Sequence, residues 1–302
     1  MRNVAKSLKI RQGSLLADAV IILIMSSAAF FSLLPIINVL AVSLSSSAKA
    51  AAGIVRLWPV DFTLSSYEYA LTKPQFLRSF GVSVQRVAFG LAVNMVCTVL
   101  VAYPLSKTKK ELFGRNAYAW FFFFTMIFSG GLVPWYVVVK QTGLLNSIWG
   151  LIIPGAVPVF NVIVLLNFFR QLPKELSESA WVDGAGHMLI LTRIYLPLSI
   201  PSLATLVLLV AVSHWNNWFD GLILLQSPDK YPLQTYLRSL LISRSMESMT
   251  HASPEELKAL RSISDRTLKA AQIFISALPV LAAYPFLQKY FMKGLVLGSV
   301  KG

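Results

Sequence analysis

Charge is scarce in this chain. Only 13% of its 302 residues are Asp, Glu, Lys or Arg, whereas 56% are hydrophobic; ordinary soluble domains carry roughly a quarter charged residues. Too little polar surface remains to coat a globule in water, and a lipid bilayer is the solvent that fits. Cysteine is almost absent. The single Cys97 excludes a disulfide within the chain and a cysteine metal site, and its expected role is a small core or lipid-facing residue. No G-x-x-x-x-G-K-[ST] run occurs, so the chain has no phosphate loop with which to hydrolyse ATP. A metal site is not expected either, because His187, His214 and His251 fall in separate segments. Acids are fewer than bases, 13 against 27, which gives a net charge of +14. In a membrane protein such an excess belongs to cytoplasmic loops, and no nucleic-acid partner is expected.

What the chain has in abundance is apolar runs. Those at 15–44, 81–106, 116–139, 148–169, 197–226 and 270–288 are each long enough for one helical crossing of about 20 residues. The expected fold is an all-α polytopic membrane protein with six transmembrane helices in one domain, 1–302. The first run is too long for a signal-peptide core and reads as a retained helix. Arg2, Lys6, Lys9 and Arg11 precede it, and Lys107, Lys109, Lys110 and Arg115 follow the second run, whereas Lys140 stands alone after the third. That asymmetry places the N-terminus inside, and six crossings return the C-terminus inside. The loop 227–269 then lies outside, although it is basic; long loops translocate largely regardless of charge. Within it, Ser253, Pro254, Glu255 and Glu256 spell the start of a short polar helix. Trp58, Phe62, Tyr67 and Tyr69, in the other outer segment, suit a membrane interface. Prolines inside or beside the spans anticipate kinked or broken helices.

The inner segment 170–196 breaks this apolar pattern. It contains "ESAWVDGAGHMLILTRIYLP", from Glu178 to Pro197. Pro173 can occupy a first helical turn, Glu175 sits near the positive helix end, and Leu176, Ala180 and Trp181 fall on one face. Gly184 and Gly186 then end the helix. A short amphipathic helix and a sharp turn make a projecting knob, a shape that docks into a partner's groove.

This stretch resembles the E-A-A, three residues, G, nine residues, I-x-L-P loop of permease subunits of bacterial ABC importers. Glu178, Ala180, Asp183, Gly184, Ala185, Ile194, Leu196 and Pro197 stand where the family pattern wants them, and Ser179 replaces the middle alanine. "HWNNWFDGLIL", "YPLQTYLRSLL" and "YFMKGLVLGSVKG" resemble segments of the carbohydrate branch, nearest to the permeases for complex oligosaccharides and polysaccharide fragments, including acidic ones such as alginate. The resemblance implies a type I importer permease fold in the bacterial cytoplasmic (inner) membrane. It also implies a second permease subunit, an ATPase dimer that binds ATP and Mg, an extracytoplasmic solute-binding protein and an oligosaccharide substrate. In that setting Glu178, Ala180, Asp183, Gly184 and Ala185 would couple the chain to the ATPase, and this chain would be a non-catalytic subunit.

For the substrate pathway, His214, Trp215, Asn216, Asn217, Trp218 and Asp220 form the densest polar and aromatic cluster in any run. Aromatic faces and amides suit sugar rings and hydroxyls; the alternative is a structural hydrogen-bond network with interfacial tryptophans. Arg86 either faces a cavity or snorkels to an interface. Asn94, Asn161 and Asn167 are expected as helix–helix contacts, and Gly294 and Gly298 form a G-x-x-x-G packing pattern. A stand-alone secondary transporter would need intramembrane acids, and only Asp18 and Asp220 qualify. An intramembrane enzyme lacks paired acids, H-E-x-x-H or a nucleophile with its base.

Overall fold

Proline, glycine and small polar residues decide where the helices of this protein start, bend and stop. The computed structural model describes residues 15–243 and 266–282. The basic N-terminus, His251 with the segment at Ser253–Glu256, the end of the sixth expected run, and Gly294 with Gly298 lie outside the described residues. Among the described residues every regular element is helical. In chain order these are α1 (Leu15–Ser43), α2 (Ser47–Ala51), α3 (Ser65–Thr72), α4 (Pro74–Ser106), α5 (Arg115–Ile127), α6 (Leu132–Gln141), α7 (Val159–Gln171) and α8 (Glu175–Val182). Then follow α9 (His187–Leu198), α10 (Ile200–Asn216), α11 (Phe219–Leu224), α12 (Leu233–Ser243) and α13 over 266–282.

The chain forms two compact units. The first takes in the described parts of 1–72 and 248–275. Its α1 is apolar on every side, with Asp18 its only charge, and nearly every side chain from Ala17 to Ile37 is exposed. A helix apolar all round is made for a non-aqueous surrounding. Past α1 the chain folds back on itself. Ser45 Oγ donates to the Ala41 carbonyl at 2.6 Å and accepts from Val60 N at 2.9 Å. Ala41, Val42, Ala50, Val55 and Ala270 close a small core. Of the expected interfacial aromatics, Trp58 and Phe62 are exposed, whereas the Tyr67 hydroxyl pairs with Ser43 Oγ at 2.6 Å.

The second unit takes in the described parts of 73–247 and 276–302, and α4 is its axis. This helix starts at Pro74, seven residues before the apolar run at 81, because a first-turn proline needs no hydrogen-bond partner for its nitrogen. Hydropathy missed those turns because Gln75 and Arg78 are polar. Between Phe76 at one end and Tyr103 and Leu105 at the other, the buried residues of α4 are Ser79, Ser83, Arg86, Gly90, Asn94, Thr98 and Ala102, every third or fourth residue on one face. Val84, Phe89, Val96 and Leu100 are exposed. A soluble helix would be built the other way round; small and polar residues inside and apolar ones outside is the membrane arrangement.

Three of the expected spans are bent, the kinked or broken form anticipated from their prolines. The run at 116–139 divides into α5 and α6 at 115°, through Ser129, Gly130 and Gly131. The run at 148–169 is a pair of 3₁₀ turns, Ile148–Gly155, followed by α7 at 48°, with Pro154 and Pro158 around the joint. The run at 197–226 is preceded by α9, which begins within the expected inner loop and meets α10 at 82°, and it breaks again at Asn217 and Trp218. The described residues therefore hold two uninterrupted helices long and apolar enough to cross a membrane, or five spans when each bent pair is taken as one. The main core joins α4, α7, α9 and α10 through Ala102, Leu165, Phe169, Ile190 and Leu206.

Leu165 is fully buried in that core and Leu23 stands exposed on α1. Leu165→Ala is expected to destabilise the purified chain in detergent by about 2–5 kcal/mol. Leu23→Ala should stay within about 0.5 kcal/mol. Thermal unfolding of the two variants checks the contrast.

Candidate functional site

The three interior breaks, at 128–131, 152–158 and 217–218, all border one cavity of about 940 Å³. A break frees main-chain carbonyls, and away from water those must find donors. At two of the three breaks the donors come from α4. Asn94 Nδ2 reaches the carbonyls of Gly155 and Ala156 at 2.7 and 3.0 Å. Arg86 Nη1 reaches the carbonyl of Asn217 at 3.0 Å.

Arg86 is 1% exposed and does not snorkel. Its guanidinium grips the Asp220 carboxylate with both terminal nitrogens, Nη1 at 3.1 Å from Oδ1 and Nη2 on Oδ2. This two-point geometry is the strong form of the pair. Asp220 also accepts from Asn217 Nδ2 at 3.1 Å and from the Gly221 amide at 2.8 Å. Four donors, two from Arg86 and one each from Asn217 and Gly221, hold the carboxylate at the cavity wall. Arg86 Nε is buried without a partner.

His214 lies one layer further in. Its Nε2 is 2.6 Å from Asn94 Oδ1. Because Asn94 Nδ2 is committed to carbonyls, its oxygen is the acceptor, and the proton is assigned to His214 Nε2. A Cβ at position 90 would sit 2.4 Å from that nitrogen, so any side chain there would push the imidazole off Asn94. The amphipathic cluster of α10 and the break after it thus divides in two. Arg86, His214, Asn217 and Asp220 line the cavity, whereas Trp215, Asn216 and Trp218 do not. Trp215 is buried, and its indole nitrogen donates to the Ser276 carbonyl at 2.9 Å. Trp218 lies under the Arg238 guanidinium at 4.8 Å and accepts at its carbonyl from Thr235 Oγ1 at 2.9 Å. Asn216 is exposed. Asn94 and Asn161, expected as helix contacts, border the cavity too, and Asn94 is both things at once. The signal was the face shared by residues 86, 90 and 94 of one helix. Asn167 lines a separate cleft with Arg170 and Trp120.

The knob is the second element of the site. α8 carries Glu175 and Glu178 in its first turn, where the helix dipole favours them. Pro173 lies just outside the helix rather than in its first turn. The C-terminal end is closed by a Schellman pair, Ala185 N to Ala180 O at 2.8 Å and Gly184 N to Trp181 O at 3.0 Å. Gly184 has φ +81°, the left-handed conformation that glycine alone adopts freely, and open space surrounds it. Ala180, Trp181 and Ala185 turn inward onto the core of α4 and α7. Leu176, expected on that inward face, is exposed. Glu178, Asp183 and Gly184 face outward together with Val182, which is 89% exposed and which sequence reasoning passed over. The outward face is therefore an apolar side chain flanked by two carboxylates.

The chain matches a family model described as "Binding-protein-dependent transport system inner membrane component" over residues 87–297. It is similar to protein LplC of Bacillus subtilis (strain 168), 41% identical and covering 94% of this chain and 95% of the relative. It is 39% identical to the polygalacturonan/rhamnogalacturonan transport system permease protein YtcP of the same organism, over 91% of this chain and 94% of that protein. Among solved structures it resembles a chain of a bacterial ABC transporter involved in the import of the acidic polysaccharide alginate. That likeness has a TM-score of 0.84 and 33% identity, and covers 93% of this chain and 98% of the other.

Removing one member of a buried ion pair strands the other, at a cost of about 3–5 kcal/mol. Asp220→Leu and Arg86→Met are each expected to destabilise the purified chain on that scale. The double variant Arg86→Met with Asp220→Leu should lose less than either alone. Additive losses in a thermal-unfolding double-mutant cycle would show that the pair is not coupled.

Proposed function

The chain belongs to the family of binding-protein-dependent transport system inner membrane components, and we propose that it forms one permease half of an ATP-driven oligosaccharide importer. The observation that carries this reading is the knob: a helix locked at its end by the Schellman pair, anchored by Trp181 and presenting Glu178, Val182 and Asp183 outward. Such a rigid, two-sided element suits a groove on a separate ATPase subunit, one groove for each of two permease chains. ATP and Mg bind there, since this chain has no phosphate loop. Ala180 and Ala185 hold the knob, and Glu178 and Asp183 meet basic groups of the partner.

The topology that goes with this reading has six crossings in one membrane domain, 1–302, with both termini and the knob on the cytoplasmic side. A binding protein delivers substrate from the other side. The second permease is a different chain or a copy that closes the cavity. When ATP draws the ATPase subunits together, the knobs move with them and the cavity changes the side to which it opens. The rival reading, a secondary transporter coupled to an ion, has little to work with: Asp220 is already matched by Arg86, and Asp18 lies exposed on α1.

For the cargo, the relatives point to fragments of acidic polysaccharides, alginate among them. The cavity has the volume of a small-ligand site, about 300–1,000 Å³. It offers Asn161, Asn217 and the ring of Trp135 to hydroxyls and sugar faces. The charges of Arg86 and Asp220 cancel, so this wall reads sugar shape more than charge, and selection for an acid falls to the binding protein and the second permease.

Gly184→Val tests the coupling role. The left-handed conformation costs a branched residue roughly 1 kcal/mol or more, too little to unfold the unit. The variant is expected to remain in the membrane and to lose ATP-driven uptake, and Glu178→Lys should do the same by meeting a partner cation with like charge. Uptake and binding-protein-stimulated ATPase activity are measured in the same proteoliposomes. Normal values of both for Gly184→Val would remove the coupling assignment.

A further inference from the structure

At the C-terminal end of α4 lies a buried cation with no carboxylate in direct contact, the charge of Glu111 acting on it from beyond ion-pair distance. Lys107 caps the C-terminal end of α4 and is 7% exposed. Its Nζ donates to the Tyr195 hydroxyl at 3.1 Å. The same ammonium stands 4.5 Å from the ring centre of Tyr195, 4.6 Å from that of Tyr103 and 5.4 Å from that of Trp181. Among the described residues, neither of the ion pairs involves it. Burying an ammonium without a carboxylate in contact is costly, and three aromatic faces are the compensation that a cation of this kind can use.

The rings of this box come from different elements. Tyr103 belongs to α4, Trp181 to the end of α8, and Tyr195 to α9. The box is braced from outside, because Tyr103 Oη lies 3.3 Å from His187 Nδ1 and the His187 ring meets Trp181 edge-on at 5.9 Å. A packing role alone would be met by leucine or methionine. A cation among three rings does more, because its attraction depends on keeping all three faces around it and weakens when any one moves. The box is thus a joint between the knob and α4. At the cavity, the same uninterrupted helix carries Arg86 and Asn94, whose side chains hold two of the chain breaks. Lys107 and Arg86 are about 30 Å apart along a straight helix.

We propose that Lys107 is a positioning residue for energy coupling. Its caged ammonium fastens the knob to α4, so that movement of the knob becomes movement of the helix that holds the cavity's breaks. This rests on the coupling role of the knob proposed above, and it assigns to Lys107 the transmission of that movement into the membrane.

The test uses the complete importer complex in proteoliposomes, with substrate uptake and ATP hydrolysis measured together. The variants are Lys107→Met, which keeps length and loses charge, Lys107→Arg, which keeps a cation, and Trp181→Leu, which opens the box from the knob's side. Gly184→Val is the control for the knob itself. Lys107→Met is expected to import about tenfold less sugar per ATP hydrolysed, with hydrolysis still stimulated by the binding protein. Lys107→Arg should restore most of the ratio, and Trp181→Leu should resemble Lys107→Met. If uptake and hydrolysis in Lys107→Met fall together, in proportion to the complex recovered, the residue is structural and the proposal fails. An unchanged ratio in Lys107→Met also overturns it while Gly184→Val is defective; if Gly184→Val is normal as well, the failure lies with the knob's role. Should Lys107→Met not reach the membrane, the ratio for Trp181→Leu decides in the same way.

Discussion

A main-chain carbonyl released inside an apolar surrounding must find a donor, and that requirement organises the second unit of this protein. Its helices are broken three times around the cavity, and each break would be untenable if it were left open. At two of the three, α4 supplies the remedy. Its inward face places Arg86 on the Asn217 carbonyl and Asn94 on those of Gly155 and Ala156, while Gly90 leaves room for His214 between them. One continuous helix therefore makes the discontinuity of its neighbours possible. The arrangement also explains why its buried stripe is polar and small and its outer stripe apolar.

The Arg86–Asp220 pair follows from the same requirement. An arginine buried to satisfy a carbonyl brings a charge with it, and Asp220 neutralises that charge. The carboxylate is in turn held by the amide of Gly221 and the side chain of Asn217, both at the break. Polar groups at this cavity are thus largely occupied with one another. That gives a firm wall, and it leaves Asn161, the exposed face of Asn217 and the ring of Trp135 as the surfaces on offer.

The apolar runs were legible because hydropathy reports solvent, and helices stand wherever a run was read among the described residues. The bends were not legible in the same way. Hydropathy carries no direction, so Ser129, Gly130 and Gly131 passed as part of one span although the chain turns there by 115°. Prolines marked the joints near Pro154 and Pro201 only as a class of event. The turn that ends the knob was legible to the residue, because a Schellman turn depends on local chemistry, namely a glycine at the left-handed position. Pro173 and Leu176 were placed wrongly, because the helix start and its facing depend on packing. The pairing of Arg86 with Asp220 joins residues 134 positions apart, which local patterns do not reach. Trp215 and Asp220 looked alike in sequence as members of one cluster. They part company because α10 ends between them and turns one toward Ser276 and the other toward Arg86.

The length of α4 has a consequence for the lipid. Its 33 residues extend about 50 Å, against a hydrocarbon slab of about 30 Å. Its first turns carry their own polar scaffold: Gln75 donates to the Pro228 carbonyl and Arg78 pairs with Asp229 in the open. Those turns are thereby supported in water and need no headgroups. A thicker or thinner bilayer can shift its boundary along this helix, or be met by tilt, without reaching the residues between Arg86 and Thr98. The protein is in this respect built to ignore membrane thickness, and strains of lipid composition would register at its ends before they register at its cavity.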